Sequence, residues 1–308
     1  MPPPVSVSNS ESIARPIDSF AFRFNAIRAF IKALRPHQWI KNGLVFVPVL
    51  TSRTFVDPAM WLISGVLFVA WSLVASGSYL INDLVDLKSD RNDPEKRDRP
   101  LASARISPAA ARIGAPILIA AGIAISATIS LETAAVLAGY ALVAQAYSLF
   151  LKKRLLVDVF ILAFLYTVRV VGGGVATGNH VTIWLLAFSS FIFLGLALLK
   201  RCAEGRAGVY NRAYREADQP LLLLFGVASS FLSVLILSLY VESRTHLAMY
   251  THPGLLWLMV PFVLFWQCRL WFVTHRGEMN TDPILFSMRD PASWVLGALT
   301  VGAVLVAG

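Results

Sequence analysis

Long apolar runs alternate with short polar loops along almost the whole chain. Several runs approach the roughly 20 residues that a helix needs to cross the bilayer core, although the first is short. The pattern therefore predicts an all-α integral membrane protein with about nine transmembrane helices. The nine runs cover residues 38–52, 58–81, 109–130, 132–151, 156–177, 181–199, 220–241, 254–273 and 291–307.

The segment before the first run has a different character. Residues 1–19 are rich in Pro and Ser and lack the apolar core of a signal peptide, which predicts a disordered tail. Residues 20–35 alternate large apolar side chains with Arg and Lys, a pattern typical of an amphipathic helix lying on the inner leaflet. We therefore expect residues 20–308 to form a single transmembrane domain.

Composition and charge support a membrane protein and give it an orientation. The chain is 56% hydrophobic and only 15% charged, which excludes an ordinary soluble domain. If the N-terminus is cytoplasmic, 23 of the 27 lysines and arginines fall on that side. The positive-inside rule thus predicts a cytoplasmic N-terminus and a C-terminus on the opposite side, which for a bacterial inner membrane is the periplasm. The net charge of +9 reflects this topology and anionic membrane lipids, and does not indicate nucleic acid.

An acidic motif stands at the end of the second run. On a helix, Asn82, Asp83, Asp86 and Asp90 fall within one arc of about 100°. Carboxylates so close repel one another unless a cation lies between them. The natural cation is Mg²⁺, which also takes phosphate oxygens as ligands. The alternative is a solvated acidic helix end.

Basic residues follow the acidic motif directly. Loop 91–107 carries Arg97 and Arg99 among its cations, and a second basic turn contains Tyr147 and Lys152. Cations beside a metal–carboxylate cluster are explained if a diphosphate bridges the two. The alternative is a positive-inside loop without a ligand.

Other polar residues lie within the apolar runs. Arg169 is in the fifth run, where an ionised side chain faces a polar cavity or a partner. Asp158 precedes it by eleven residues and falls on the same helical face. Lys41 and Asn42 enter the first run, and topology alone does not explain them. We interpret these residues as lining a substrate cavity, and a structural ion pair of Arg169 is the alternative.

Two sequence segments resemble a known family. NDLVDLKSD and KRDRPLASARIS resemble the motifs of the UbiA superfamily of intramembrane prenyltransferases, with Ala104 where that family has Gly. Three further segments resemble the subgroup of decaprenyl-phosphate phosphoribosyltransferases, and the likeness covers about residues 30–205. These segments match at Arg35, Pro36, Gln38, Trp39, Lys41 and Asn42, at Ala146, Tyr147, Leu151 and Lys152, and at Arg169, Gly173, Gly174 and Ala176.

The resemblance implies a UbiA-like bundle with a cytoplasm-facing cavity. It implies Mg²⁺-dependent transfer of 5-phosphoribosyl from phosphoribosyl diphosphate to a polyprenyl, decaprenyl-type phosphate. Such a product feeds lipid-linked arabinose synthesis, for cell-envelope arabinan or for nodulation factors. A homo-oligomer is an open expectation. The alternatives are a prenyltransferase that alkylates an aromatic acceptor and a non-enzymatic membrane transporter.

The residues and the resemblance together define a predicted site. The expected metal ligands are Asn82, Asp83, Asp86 and Asp90. The expected catalytic residues are Asp83, Asp86, Asp90, Lys41 and Arg169. The expected substrate-binding residues are Asn82, Lys41, Asn42, Arg97, Arg99, Tyr147, Lys152 and Asp158.

Overall fold

The computed structural model describes residues 27–208, 213–243, 251–279 and 282–307. All regular secondary structure within these ranges is helical, as the apolar runs predict. The described residues include eight helices of 17 or more residues. They are α1 (Pro58–Val85), α2 (Pro108–Ala127), α3 (Leu131–Leu149), α4 (Val157–Thr177), α5 (Ile183–Arg206), α6 (Gln219–Glu242), α7 (Met259–His275) and α8 (Pro291–Ala307).

Most predicted spans correspond to helices of membrane-crossing length. Six helical segments in the described ranges are long and apolar enough to cross a bilayer, and they contain α1, α2, α4, α5, α6 and α7. Helix α3 has 19 residues, and α8 is a shorter apolar helix of 17 residues. The structure thus confirms an all-helical, multi-pass membrane protein, whereas the full number of nine spans stays a prediction.

The first predicted span is not a regular α-helix. Its residues form a 3₁₀-helix, Pro36–Phe46, followed by one α-helical turn, Val47–Leu50. A 3₁₀-helix rises about 2.0 Å per residue instead of 1.5 Å, so it covers about 22 Å in eleven residues. This greater rise explains how a short apolar run can extend through much of the bundle. We refer to residues 36–50 as the first crossing, after the first predicted span, most of which they cover.

Close backbone contact holds the first crossing against α4. A Cβ atom on Gly173 would overlap the backbone carbonyl of Val45, and one on Gly172 would overlap the ring of Trp71 in α1. Gly172 and Gly173 are therefore contact positions. Only a residue without a side chain lets the two backbones approach this closely.

The predicted amphipathic helix is described only in part. Residues 27–33 are helical, with Ala29 and Ala33 buried and Ile27 and Ile31 more than half exposed. The two alanines pack in one apolar cluster with Leu80 near the end of α1. Residues 1–19 and 20–26 lie outside the described residues, so the tail and the domain boundary stay predictions.

Replacing Gly173 by alanine should destabilise the protein, because the added methyl group has no space against Val45. Such overpacking typically costs about 1–3 kcal/mol. Gly139→Ala in α3 is the matched control, since its Cβ would meet nothing within 4 Å, and removing a mid-helix glycine should stabilise by about 0.5–1 kcal/mol. Thermal unfolding in detergent should therefore shift in opposite directions. Equal shifts for both variants would contradict this packing.

Candidate active site

The acidic motif keeps one helical register across a break in the backbone. Helix α1 ends at Val85, and a short helix, Leu87–Asn92, follows after Asp86. The amide of Asp86 donates to the carbonyl of Asn82 at 2.9 Å, and the amide of Asp90 donates to that of Asp86 at 2.8 Å. These bonds continue the helical spacing across the break, although the carboxylates of the described residues do not form a group of three that could hold a metal ion. We call this region, formed by Asn82, Asp83, Asp86 and Asp90, the aspartate end.

Two arginines neutralise the two buried aspartates. Arg35 Nη2 lies 2.5 Å from Asp83 Oδ1. Arg99 Nη1 lies 2.6 Å from Asp90 Oδ2 and 3.5 Å from Asp83 Oδ1. Both carboxylates are almost fully buried, and a buried charge is tolerated only with a close partner. The N-terminal segment and the basic loop are thereby tied to α1.

The third carboxylate is more accessible and binds the second basic turn. Lys152 Nζ lies 2.6 Å from both oxygens of Asp86 and 3.1 Å from Asn82 Oδ1. The Asp86 side chain is 29% exposed, the largest value among the three aspartates. Arg97 is exposed and contacts no acidic side chain among the residues that the structure describes. Of the predicted phosphate-binding cations near the motif, Arg99 and Lys152 therefore reach it.

The turn after Arg99 contains the one departure from the family motif. Ala104 has a φ of 59°, in the left-handed region that favours glycine. A non-glycine residue there costs about 1–2 kcal/mol. Ser103 Oγ donates to the Arg99 carbonyl at 2.8 Å, and Arg105 Nε donates to Ser103 Oγ at 2.9 Å. The loop thus adopts a turn suited to glycine even though alanine occupies the position.

A second polar group lies deeper, inside the bundle. Arg169 Nε donates to Asn42 Oδ1 at 2.9 Å, and Asn42 Nδ2 donates to Ser72 Oγ at 3.0 Å. Arg169 also donates to the Tyr140 hydroxyl at 2.8 Å and to the Leu165 carbonyl. All of these partners are neutral, so among the residues that the structure describes Arg169 has no ion pair, which was its alternative explanation.

Asp282 was missed by sequence reasoning and contacts two lysines. Lys41 Nζ lies 2.8 Å from Asp282 Oδ2, and Lys200 Nζ lies 3.2 Å from the same oxygen. Asp282 belongs to the segment between α7 and α8, far from Lys41 in sequence. Its local sequence carries no motif, and only the three-dimensional contact reveals it. Lys200 likewise appeared in the sequence only as a topology charge.

Asp158 is enclosed by protein partners. Arg201 Nε lies 2.8 Å from Asp158 Oδ2, and the Tyr214 hydroxyl donates to Oδ1 at 2.5 Å. Arg201 also forms an ion pair with Glu204 and lies 3.5 Å from the Tyr147 hydroxyl. Burial and the hydrogen bond to Asp158 raise the pKa of the Tyr214 hydroxyl, so it stays a donor. The Asp158 carboxylate connects α4 to α5 and to the loop after it, and its predicted role in substrate binding stays a prediction.

We expect Asp158→Asn to lower thermal stability, because it leaves Arg201 with one buried partner fewer. Breaking a buried ion pair typically costs about 3–5 kcal/mol. Glu204→Gln is the control: Glu204 is 30% exposed, so water can replace the lost contact with Arg201. Thermal unfolding in detergent should rank Asp158→Asn well below this control. Unchanged unfolding combined with a weaker substrate affinity would assign Asp158 to substrate binding instead.

The fold and the acidic and basic end of the bundle define a multi-pass membrane protein with a polar site. The chain belongs to the UbiA prenyltransferase family, whose sequence profile matches residues 44–289. This membership confirms the resemblance and places the chain among transferases. It also extends the match beyond the motif-bearing part, through Asp282 and up to α8.

The chain matches curated relatives over different shares of their length. Protein y4nM of Sinorhizobium fredii is 36% identical over 291 residues, 91% of this chain and 56% of that protein. The chain thus spans little more than half of this relative. Nodulation protein NoeC of Azorhizobium caulinodans is 32% identical over 86% of this chain and 89% of its own. Decaprenyl-phosphate phosphoribosyltransferase of Mycolicibacterium smegmatis is 36% identical over 58% of each chain.

A solved structure shares the fold. A UbiA homologue from Archaeoglobus fulgidus, solved with DMAPP and Mg²⁺, has a TM-score of 0.68 with 16% identity. The match covers 90% of this chain and 99% of that one. At this identity the likeness establishes the helical architecture, and it extends over almost the whole of both proteins.

Proposed function

We propose that the chain transfers a 5-phosphoribosyl group from phosphoribosyl diphosphate to a polyprenyl phosphate. The bond between ribose C1 and the diphosphate oxygen breaks, and diphosphate leaves with that electron pair. A bond forms between C1 and an oxygen of the acceptor phosphate. The observation that carries the proposal is the pairing of Arg35, Arg99 and Lys152 with the aspartates. Relatives named as phosphoribosyltransferases support it.

The aspartate end suits a metal-bound diphosphate. No group of three His, Cys, Asp or Glu side chains in the described ranges lies close enough to hold a metal alone. Mg²⁺ is usually held by one or two carboxylates together with substrate phosphates and water, so three converging ligands are not required. The donor set of Asn82, Asp83, Asp86 and Asp90 fits this ion. Bound there with the donor, Mg²⁺ would supply charge neutralisation for the leaving diphosphate.

When the donor binds, the cations at the aspartate end would leave their carboxylate partners and bind the phosphates of the donor. Arg99 and Lys152 reach the aspartates from separate loops, so both can turn toward a diphosphate placed between them. Guanidinium and ammonium groups bind phosphate by charge-assisted hydrogen bonds. The acceptor phosphate is already anionic and needs no strong base. Positioning and charge stabilisation would therefore account for most of the acceleration.

The membrane position follows from the charge bias. A soluble sugar diphosphate must reach the aspartate end from water, and the positive-inside rule makes that side the cytoplasm. The acceptor must enter from the lipid, between helices. We therefore propose an inner-membrane enzyme with a cavity open to the cytoplasm, working in lipid-linked arabinose synthesis. The nodulation and cell-envelope pathways both stay open.

The second candidate is a prenyltransferase with an isoprenoid diphosphate as donor. The observation in its favour is the fold shared with a UbiA homologue solved with DMAPP and Mg²⁺. The aspartate end does not separate the two donors, because each carries a diphosphate. The arrangement of the charged residues argues against a transporter, because they form compact pairs at one end and around Asp282.

Product identity tests the proposal directly. Purified protein in detergent receives radiolabelled phosphoribosyl diphosphate, polyprenyl phosphate and Mg²⁺, with farnesyl diphosphate and an aromatic acceptor in a parallel reaction. We expect mass spectrometry to show polyprenyl phosphate that has gained one 5-phosphoribosyl group. Consumption of only the prenyl diphosphate would replace the proposal by the second candidate. Release of ribose 5-phosphate without a lipid product would also contradict it.

Asp86→Asn tests the metal site, since it removes one accessible charge with little change in size. Turnover should fall at least about a hundredfold, which corresponds to about 3 kcal/mol of transition-state stabilisation. EDTA should abolish wild-type activity, and added Mg²⁺ should restore it. Asp93→Asn is the control and should change turnover little, because Asp93 pairs with Lys96 within loop 91–107, which follows the aspartate end. Near-normal turnover of folded Asp86→Asn would refute the assignment.

A further inference from the structure

Three distant parts of the chain meet at the Asp282 carboxylate. Lys41 comes from the first crossing, Lys200 from the last turns of α5, and Asp282 from the segment before α8. Both ammonium groups contact the same oxygen, Oδ2, while Oδ1 accepts the backbone amide of Ile284 at 3.2 Å. The carboxylate is therefore fixed from both sides, and it sets the separation of the two ammonium groups.

This cluster carries more positive than negative charge. Tyr166 connects it to Arg169, because Lys41 Nζ lies 5.7 Å and the Arg169 guanidinium 5.6 Å from the centre of the Tyr166 ring. The cluster and its neighbour thus contain three cations, Lys41, Lys200 and Arg169. Among the described residues, Asp282 is the one carboxylate that contacts any of them. Lys41 and Arg169 are both more than nine-tenths buried. An excess of buried positive charge is costly unless an anion compensates it.

Asp282 itself is ionised and cannot supply that compensation alone. Burial would raise the pKa of its carboxyl group, but the charges of Lys200 and Lys41 outweigh this effect and hold the pKa below its usual range. One carboxylate thus faces two ammonium groups. Each ammonium group has three donors and gives one to Asp282, so each can donate to a further acceptor.

A small cavity opens beside this cluster between α4 and α5. Its polar wall is formed by Lys200 and Asp282, and its apolar wall includes Leu162, Leu196 and Ile284. The Lys200 side chain is 31% exposed, so a ligand can reach it from outside. The cavity has room for about one water molecule, so a phosphate would reach Lys200 from its exposed side rather than fill this space.

We propose that Lys41 and Lys200 form a phosphomonoester-binding site whose geometry is set by Asp282 as a positioning residue. The site is separate from the aspartate end, since neither lysine contacts its four residues in the described structure. The inference rests on the proposed function, whose substrates contain two phosphomonoesters. One is the 5-phosphate of the ribosyl donor, and the other is the phosphate of the lipid acceptor.

Lys200→Ala removes one ammonium group and leaves Lys41 paired with Asp282. Steady-state kinetics should show a KM about ten- to hundredfold higher for one substrate, with kcat changed less, as for the loss of a charge-assisted phosphate contact. A higher KM for phosphoribosyl diphosphate would assign the 5-phosphate, and a higher KM for polyprenyl phosphate would assign the acceptor. Both KM values within twofold of wild type would overturn the inference.

The positioning role of Asp282 has its own test and control. Asp282→Asn should raise the KM of the same substrate that Lys200→Ala affects, and Asp282→Glu should restore part of the affinity. Asp290→Asn is the matched control, because it breaks the nearby ion pair of Asp290 with Arg269, 2.7 Å long, away from the two lysines. We expect it to leave both KM values unchanged. An equal KM effect of Asp290→Asn would show a general structural disturbance and overturn the positioning role.

Binding without turnover separates this inference from the proposed function. Calorimetry measures the binding of ribose 5-phosphate and of farnesyl phosphate in separate titrations. These two probes are chosen because neither reacts alone. Wild-type protein should bind at least one of them, and Lys200→Ala should bind it at least tenfold more weakly. This result would support the site even if the product assay fails. If wild-type protein binds neither probe, the site is overturned, while the product assay still decides the proposed function by itself.

Discussion

Pairing of buried charges holds the polar end of this membrane bundle together. Asp83 and Asp90 are buried at the end of α1, where an unpaired carboxylate would be very costly. Their partners Arg35 and Arg99 come from different segments, so each ion pair also fixes a loop. The same carboxylates are the ones a metal ion would need. In the proposed function, the stability of the ligand-free protein and the binding of a metal–diphosphate complex would depend on one set of atoms.

The aspartates cannot pair with the basic side chains and bind a metal ion at the same time. A cation that moves away from an aspartate needs a phosphate as its new partner. The aspartate that it leaves needs a metal ion as its new partner. In the proposed complex, a metal and a diphosphate bound together would pair both the aspartates and the cations, whereas either one alone would leave charges unpaired. Lys152 and Asp86 are the most suited to begin the exchange, because Asp86 is the most exposed of the three aspartates.

The sequence predicted the helices and the acidic motif well, because both depend on local pattern. The run 58–81 became α1, and the spacing of Asn82 to Asp90 survived the break at Asp86. Two features were beyond its reach. The first crossing adopts a 3₁₀ form and packs its backbone against Gly173, and Asp282 contacts two lysines that are distant in sequence. No local signal encodes either contact.

The 3₁₀ form of the first crossing has a consequence for how the protein is made. Residues three apart eclipse in such a helix, so Trp39, Asn42 and Val45 all face α1 and α4, where they find hydrogen bonds or close packing. Alone in lipid, this segment would expose polar groups and a poorly bonded backbone. Gly173 in α4 follows Val45 far along the chain. The first crossing can therefore make this contact only after α4 has been synthesised.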